Sequence, residues 1–384
     1  MGERLVLRGA SLLDPEAVAP KDGALLLERG RIASHLRPDE APPRDAGVVD
    51  LTGRQLAPGF LDLHVHGSLV FAQSAELEAA LQRDAAEMLR HGVTGFLATT
   101  VAWAPDELAA KVGRLAELVS SAGAAGATPL GLHLEGPWIN PGAAGAQPGA
   151  AIRPFALAEG TEVLGRGEGL VRMVTFAPEA EGAADLQSLL EARGVVAALG
   201  HSLCSSEEAD RAATRGARHV THLFNSMGPF HHRSPGLTGV ALADERLSCD
   251  LICDGVHVHP SAVRLAVRAK GTGLLWITDR IDPPMGGESS FGSGVLRDDG
   301  QVLRLADGRL AGSRLTLDRA IQNAIMFANL EICEAVAACT LRPARLLGIE
   351  SERGTLRPGA RADLAVLDSA GRVEQTWLAG QRIV

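Results

Sequence analysis

The chain has 384 residues, of which 46% are hydrophobic, 44 are glycine and only 3% are aromatic, with no tyrosine. A net charge of −9 and so few stacking groups argue against a nucleic-acid surface, and no apolar run is long enough to cross a membrane. The length exceeds one small core and suits a barrel-sized domain with a smaller companion.

The N-terminus has no charged-then-apolar leader, and the five cysteines are an odd number without framework spacing. A cytoplasmic protein with reduced thiols is therefore expected. Residues 4–8, 24–28 and 46–51 read as short strands bounded by Pro and Gly, and 37–44 as a loop. Apolar runs follow at 57–65, 94–101, 129–134, 171–177, 195–199, 219–224, 247–253 and 274–278. Cys249 and Cys253 lie in one of them and read as core. Helix-period segments lie between the runs. Leu77, Leu81, Met88 and Leu89 share one face, and Leu108, Val112, Leu115 and Val119 share another after the start signal Pro105-Asp106-Glu107.

Eight strands alternating with helices predict an α/β fold, a (β/α)8 TIM-type barrel. A doubly wound sheet is the weaker alternative, because no GxGxxG follows the first strand. The turn signals Asp298-Asp299-Gly300 and Asp307-Gly308 predict a hairpin excursion over 292–312, followed by helices over 315–330 and 334–347. The chain ends in strand-like segments at 354–364, 366–368 and 373–383. The expected division is a small β-sandwich domain from 1–56 plus 348–384 and a barrel over 57–347.

Catalytic groups of such a barrel come from the C-terminal ends of its strands. In Leu61-Asp62-Leu63-His64-Val65-His66-Gly67 the apolar residues alternate with polar ones, so His64 and His66 point to one side as a half-site for a divalent metal. The later ends carry His133-Leu134-Glu135-Gly136-Pro137, Gly200-His201-Ser202, Thr221-His222-Leu223-Phe224-Asn225, Asp254-Gly255-Val256-His257 and Ile277-Thr278-Asp279. One such residue is structural more often than not; six strand ends in the same phase point to a metal-dependent hydrolase. None of the three lysines (Lys21, Lys111, Lys270) falls at a strand end, with Lys111 in a helix, so a carbamylated lysine cannot bridge two metals. Glu135 is placed to do so. No CxxC is present, and the N and O donors suit Zn, Fe, Mn or Co.

With these segments the stretch Pro58-Gly59-Phe60, the run Ser226-Met227, Leu310-Ala311-Gly312-Ser313 and the Pro343-Ala344 helix complete a likeness that spans nearly the whole chain. The sequence resembles the N-acetylglucosamine-6-phosphate deacetylase family of the amidohydrolase superfamily. The resemblance implies one or two divalent ions, zinc foremost. His64 and His66 match the first metal pair, Glu135 the carboxylate shared by both metals, and His201 and His222 the second pair. Asp279 matches the catalytic aspartate, also a metal ligand, and His257 a histidine near the scissile amide. Asn225, Ser226 and Arg233 match positions that hold the sugar phosphate, and this arginine can reach across a dimer interface. A homodimer acting on a small amino-sugar phosphate is implied, with no nucleic-acid or membrane partner.

The chemistry of these residue types agrees. A metal activates water and polarises an amide carbonyl, Asp279 can move the proton to the leaving amine, and His257 can donate to the oxyanion or to a sugar hydroxyl. A phosphate needs a guanidinium fork, which the loop Phe230-His231-His232-Arg233-Ser234-Pro235-Gly236 offers. There are departures from the family pattern. Arg280 follows Asp279, where a small residue is usual, and can pair with it. Ser234 replaces a common glutamate. Gln147, placed among the substrate-binding residues, stands where some members have His. Residues 280–291 are expected to form a lid of different shape. The rival readings are an amidohydrolase for N-acetylgalactosamine 6-phosphate, for an unphosphorylated N-acetyl sugar or for an N-acylamino acid, and a silent barrel used as a scaffold. No ligand position is missing, which disfavours the last.

Overall fold

The computed structural model of the protein describes residues 4–121, 126–284, 289–291 and 294–384. Eight parallel strands follow one another in chain order: β1 (Phe60–Gly67), β2 (Val93–Thr99), β3 (Thr128–Glu135), β4 (Val171–Phe176), β5 (Val196–Leu199), β6 (His219–Val220), β7 (Ser248–Ile252) and β8 (Leu274–Ile277). Each is hydrogen-bonded to the next. Helices α1 (Leu77–Leu89), α2 (Pro105–Ser121), α3 (Leu157–Arg166), α4 (Ala183–Ala192), α5 (Ser206–Thr214), α6 (Gly236–Ala243), α7 (Pro260–Lys270) and α8 (Leu317–Ala328) come after β1 to β8 in turn. All residues of β1 and β2 are buried, as strands are when both faces of a parallel sheet are covered.

Past β8 the chain continues as β9 (Arg280–Ile281), which pairs in parallel with β1. The Asp279 N–H also donates to the His64 carbonyl at 2.9 Å. The eighth strand thus returns to the first, an arrangement consistent with a (β/α)8 barrel.

The expected excursion consists of β10 (Gly294–Asp298), β11 (Val302–Leu305) and β12 (Leu310–Ser313), joined by antiparallel pairing and anchored by Ser313 against Arg280 of β9. Gly312 has φ +92°, and a side-chain carbon there would lie 2.8 Å from Ile281 and 3.2 Å from the Asp279 carbonyl. Only glycine lets β12 approach the end of β8 this closely. Residues 292–293 of the excursion and 285–288 of the expected lid lie outside the described residues.

The chain ends meet in a second sheet. Its order is Gln381–Arg382, Val373–Leu378, Leu364–Leu367, Gln55–Pro58, Arg4–Leu12, Lys21–Glu28, Arg31–Leu36, with Gly47–Asp50 also on Arg4–Leu12. The expected sandwich takes the form of one continuous eight-stranded sheet. Leu7, Leu25, Ile32, Leu56, Leu364 and Trp377 share a core on it. Thr376 Oγ1 ties it to the barrel through the Leu89 carbonyl at 2.6 Å.

Three expectations need correction. Residues 354–363, read as strand-like, are turns and irregular chain, and the strand begins at Leu364. Ala57 and Pro58 belong to the terminal sheet, not to the first barrel strand. Gly59 makes the change of sheet: its N–H goes to the Asp363 carbonyl at 2.8 Å, and a side-chain carbon would lie 2.2 Å from Thr94. The single helix expected over 334–347 is two, Ile332–Ala337 and Leu341–Leu347. In a continuous helix Pro343 could not donate to Cys339, and the Cys339 carbonyl instead accepts the Leu61 N–H at 2.7 Å. All five cysteines are free and buried. Among the described residues no helix is long and apolar enough to cross a membrane.

Candidate metal centre and its cavity

Two groups of metal-ligand type meet at the C-terminal ends of the strands, His64, His66 and Asp279 in one and Glu135, His201 and His222 in the other. Glu135 stands between them. Its Oε1 is 3.3 Å from His64 Nε2, 3.1 Å from His201 Nε2 and 3.0 Å from His222 Nε2, and its Oε2 is 3.2 Å from His66 Nε2. Asp279 Oδ1 is 3.4 Å from His64 Nε2 and 3.2 Å from His66 Nε2. All six residues expected as metal ligands therefore converge.

The hydrogen bonds fix what these nitrogens can do. His66 Nδ1 donates to the Thr99 carbonyl at 3.2 Å and His201 Nδ1 to the Ala143 carbonyl at 2.9 Å. A carbonyl only accepts, so each Nδ1 carries the proton and each Nε2 presents a lone pair. His64 Nε2 lies 3.4 Å from His66 Nε2, and His222 Nε2 lies 3.1 Å from His201 Nε2. The lone pairs of His66 and His201, aimed at neighbouring ring nitrogens and carboxylates, are stable around a cation.

The titration tendencies say the same. Burial alone would raise the Glu135 pKa, but the neighbouring histidines, led by His64 and His201, hold its carboxyl well below the usual range. Asp279 is likewise lowered against its burial by His64 and His66. Burial opposes a charge on His66, yet Asp279 and Glu135 lift it to about 10. The spot demands positive charge. His133, buried beside His64, is driven well below its ordinary value by burial and by the His64 charge, so it stays neutral. Its Nε2 pairs with Thr175 Oγ1 at 2.7 Å.

Three of the six reach the centre through unusual backbone. His201, His222 and Asp279 have φ of 47°, 34° and 48°. Left-handed residues other than glycine cost on the order of 1 kcal/mol or more and gather at functional sites. The strand ends curl there.

A further layer holds these candidate ligands. Asp62 accepts from His64 N at 3.2 Å and from Thr278 Oγ1 at 2.6 Å, joining the ends of β1 and β8. Asp250 accepts from His222 N and pairs with His219 Nε2 at 2.9 Å. Asp84 on α1 takes Ser68 N at 2.9 Å and Ser68 Oγ at 2.7 Å, just after the His66-Gly67 corner. Gln147, expected to touch substrate, lines the cavity but is engaged at both ends of its amide. Its Oε1 accepts Ala102 N at 2.8 Å, which turns its Nε2 onto Glu135 Oε2. The sequence did carry signals for Asp62, which is in phase with His64 and His66, and for Asp250, an acid inside an apolar run.

The centre opens into a cavity of about 360 Å³ lined also by Asn225, Ser226 and His257. His257 Nδ1 donates to Asp254 Oδ2 at 2.6 Å, so Nε2 is the ring atom left for a ligand. Two expected cations are elsewhere. Arg233 is exposed and does not line this cavity; its Nη1 lies 2.9 Å from His232 Nε2. Arg280 pairs with Asp282 at 2.8 Å rather than with Asp279 and faces a separate cavity beside α1. Side chains alternate across β9, so a residue next to Asp279 points away from the centre. The arginine that does line the cavity is Arg309, which no sequence pattern marked.

The amidohydrolase family model matches residues 56–383. The chain is similar to the human N-acetylglucosamine-6-phosphate deacetylase, at 36% identity over 99% of this chain and 91% of that protein. It is 34% identical to the N-acetylgalactosamine-6-phosphate deacetylase of Escherichia coli O157:H7, over 98% of both. Among solved structures it resembles a mutant N-acetyl-D-glucosamine-6-phosphate deacetylase from Mycobacterium smegmatis in complex with N-acetyl-D-glucosamine-6-phosphate. The TM-score is 0.90, the identity 32%, and both chains are covered in full.

Proposed function

The chain belongs to the amidohydrolase family, and from that premise we propose that it hydrolyses the acetamide of N-acetylglucosamine 6-phosphate to glucosamine 6-phosphate and acetate. The observation that carries this reading is the meeting of four histidine Nε2 atoms and two carboxylates in a cavity of sugar-phosphate size.

His64, His66 and Asp279 would hold one divalent ion, and Glu135, His201 and His222 a second, with Glu135 shared. Zinc suits these donors best, with iron, manganese or cobalt as alternatives. An ion bound there supplies Lewis acidity toward the acetamide carbonyl and toward the attacking water. Asp279 lines the cavity and is held ionised, so its carboxylate takes the water proton and delivers it to the amine nitrogen as the C–N bond breaks. His257, oriented through Asp254, offers Nε2 to a sugar hydroxyl or, when protonated, to the developing oxyanion. Asn225 and Ser226 face the phosphate end. Gln147 acts on the ligand through Glu135. Residues 59–347 form the catalytic barrel, and 1–58 with 348–384 a supporting β domain. The protein works in the cytoplasm as a homodimer, in which Arg233 of a second copy reaches this mouth.

The E. coli relative supports a second reading, deacetylation of the galactosamine isomer. Acetate release decides between them. Metal-stripped protein is tested with each metal added back on N-acetylglucosamine 6-phosphate, N-acetylgalactosamine 6-phosphate, N-acetylglucosamine and an N-acetylamino acid. Metal-restored turnover greatest on the first is expected. Release from the galactosamine isomer alone moves the assignment to the second reading, and release from no sugar phosphate with any metal overturns both.

A further inference from the structure

Arg309 lies between the Asp307-Gly308 turn and β12 and lines the same cavity as Glu135 and Asp279. Among the described residues lining that cavity it is the sole arginine or lysine. A dianionic substrate entering a chain of net charge −9, toward two carboxylates, requires a local cation. Arg233 of the same chain does not supply it.

The contacts of Arg309 aim it at the phosphate end. Its Nη1 donates to the Gly145 carbonyl at 2.6 Å, and its Nε and Nη2 face Asp307 Oδ2, each at 2.8 Å. Three of the five N–H groups of a guanidinium are thus occupied and two are left. Gly145, with φ +58°, is so close to Ser226 that a side-chain carbon on it would lie 2.5 Å from Ser226 Oγ. Arg309 and Ser226 therefore flank one residue at the mouth. The Asp307 pair is half exposed, 50% and 54%, and pairs of that kind hold little net energy. It orients the guanidinium without sequestering it.

The geometry points to Arg309 as a phosphate-binding residue supplied by the chain's own β11–β12 hairpin, one that sets the preference for phosphorylated over neutral N-acetyl sugars. This rests on the deacetylase reading for the identity of the sugar, while the anion site itself does not need it. Glucosamine 6-phosphate binding is measured by titration calorimetry on the metal-loaded enzyme and its Arg309→Met and Arg309→Lys variants. Acetate release from N-acetylglucosamine with and without 6-phosphate is followed in parallel.

Arg309→Met is expected to weaken glucosamine 6-phosphate binding about tenfold or more, the loss of a charge-assisted bond. KM for the phosphorylated substrate should rise with kcat little changed, the neutral sugar should be unaffected, and Arg309→Lys should recover part of the loss. Equal losses on both sugars would make Arg309 a strap on the 141–148 loop and overturn the proposal. So would an Arg233→Ala variant that erases the phosphate preference while Arg309→Met keeps it. Wild-type protein that binds glucosamine 6-phosphate through Arg309 but releases no acetate defeats the deacetylase reading alone. Acetate release with unchanged phosphate preference in Arg309→Met defeats this proposal alone.

Discussion

At the metal end of the cavity His64, His66, Glu135, His201 and His222 are at most 4% exposed and stand on strand termini. At the other end Asn225 and Ser226 are half-buried, Arg309 is exposed, and all three sit on connections between elements. Each of these buried candidate ligands is held by neighbouring strands or by groups such as Asp62, Asp250 and Gln147. The mouth residues are held by turns. On the proposed function the reaction would be tied to the rigid scaffold, and substrate choice would be left to segments that can change without disturbing the centre.

The largest break in this contrast is expected at Glu135, the one carboxylate near four histidines. Glu135→Ala should lose metal from both groups and reduce turnover to background, checked by elemental analysis beside acetate release. A variant that kept its full metal content would remove Glu135 as the shared ligand. Asp279→Asn should lower turnover about 10²–10⁴-fold, the range for a proton-transferring group, while metal content falls less than for Glu135→Ala. Near-normal turnover would take Asp279 out of the mechanism.

Smaller losses should follow from the supporting layer. Asp250→Asn and Gln147→Ala leave every ligand in place, so metal affinity or activity is expected to fall about 10- to 100-fold. Competition with a chelator measures it. Arg309→Met should leave the metal affinity where it was; a comparable fall there would erase the distinction between the two ends.

The smallest effect concerns the corner behind His66. Burial pushes the Asp84 carboxyl up to about 6, with Ser68 and Arg83 acting to lower it and Asp282 to raise it. Between the ordinary carboxyl pKa of about 4 and 6 the folded protein keeps a proton that the unfolded chain has lost. Stability therefore falls as pH rises through that window, and the penalty is complete above it. In excess chelator, wild-type stability relative to Asp84→Asn should drop by about 1–3 kcal/mol from pH 4 to pH 7. Denaturant melts that run parallel across this range would show that Asp84 is not the buried acid described.

Much of the scaffold is legible in the sequence. β1 to β8 fall on the eight apolar runs, with β6 confined to His219–Val220 of 219–224, and α1 and α2 match the faces read from Leu77, Leu81, Leu108 and Val112. The hairpin was announced by Asp298-Asp299-Gly300 and Asp307-Gly308. The break at Gly59 was not, because it depends on a partner far along the chain, Asp363, whereas the break near Thr340 had a local signal in Pro343 that the helix reading over 334–347 passed over.

The sequence by itself determined which residue types stand at the strand ends, and with them the metal chemistry, because burial imposes period two on a strand and 3.6 on a helix and both are local patterns. Tertiary structure alone decided how those residues are used. The left-handed turns at His201, His222 and Asp279, the proton on Nδ1 of His66 and His201, the capture of Gln147 by Glu135 and Ala102, the retreat of Arg280 to Asp282 and the entry of Arg309 into the cavity all follow from long-range contacts. Such contacts are set by where the curled sheet brings distant segments together, and a polar side chain's partner leaves no periodic trace along the chain.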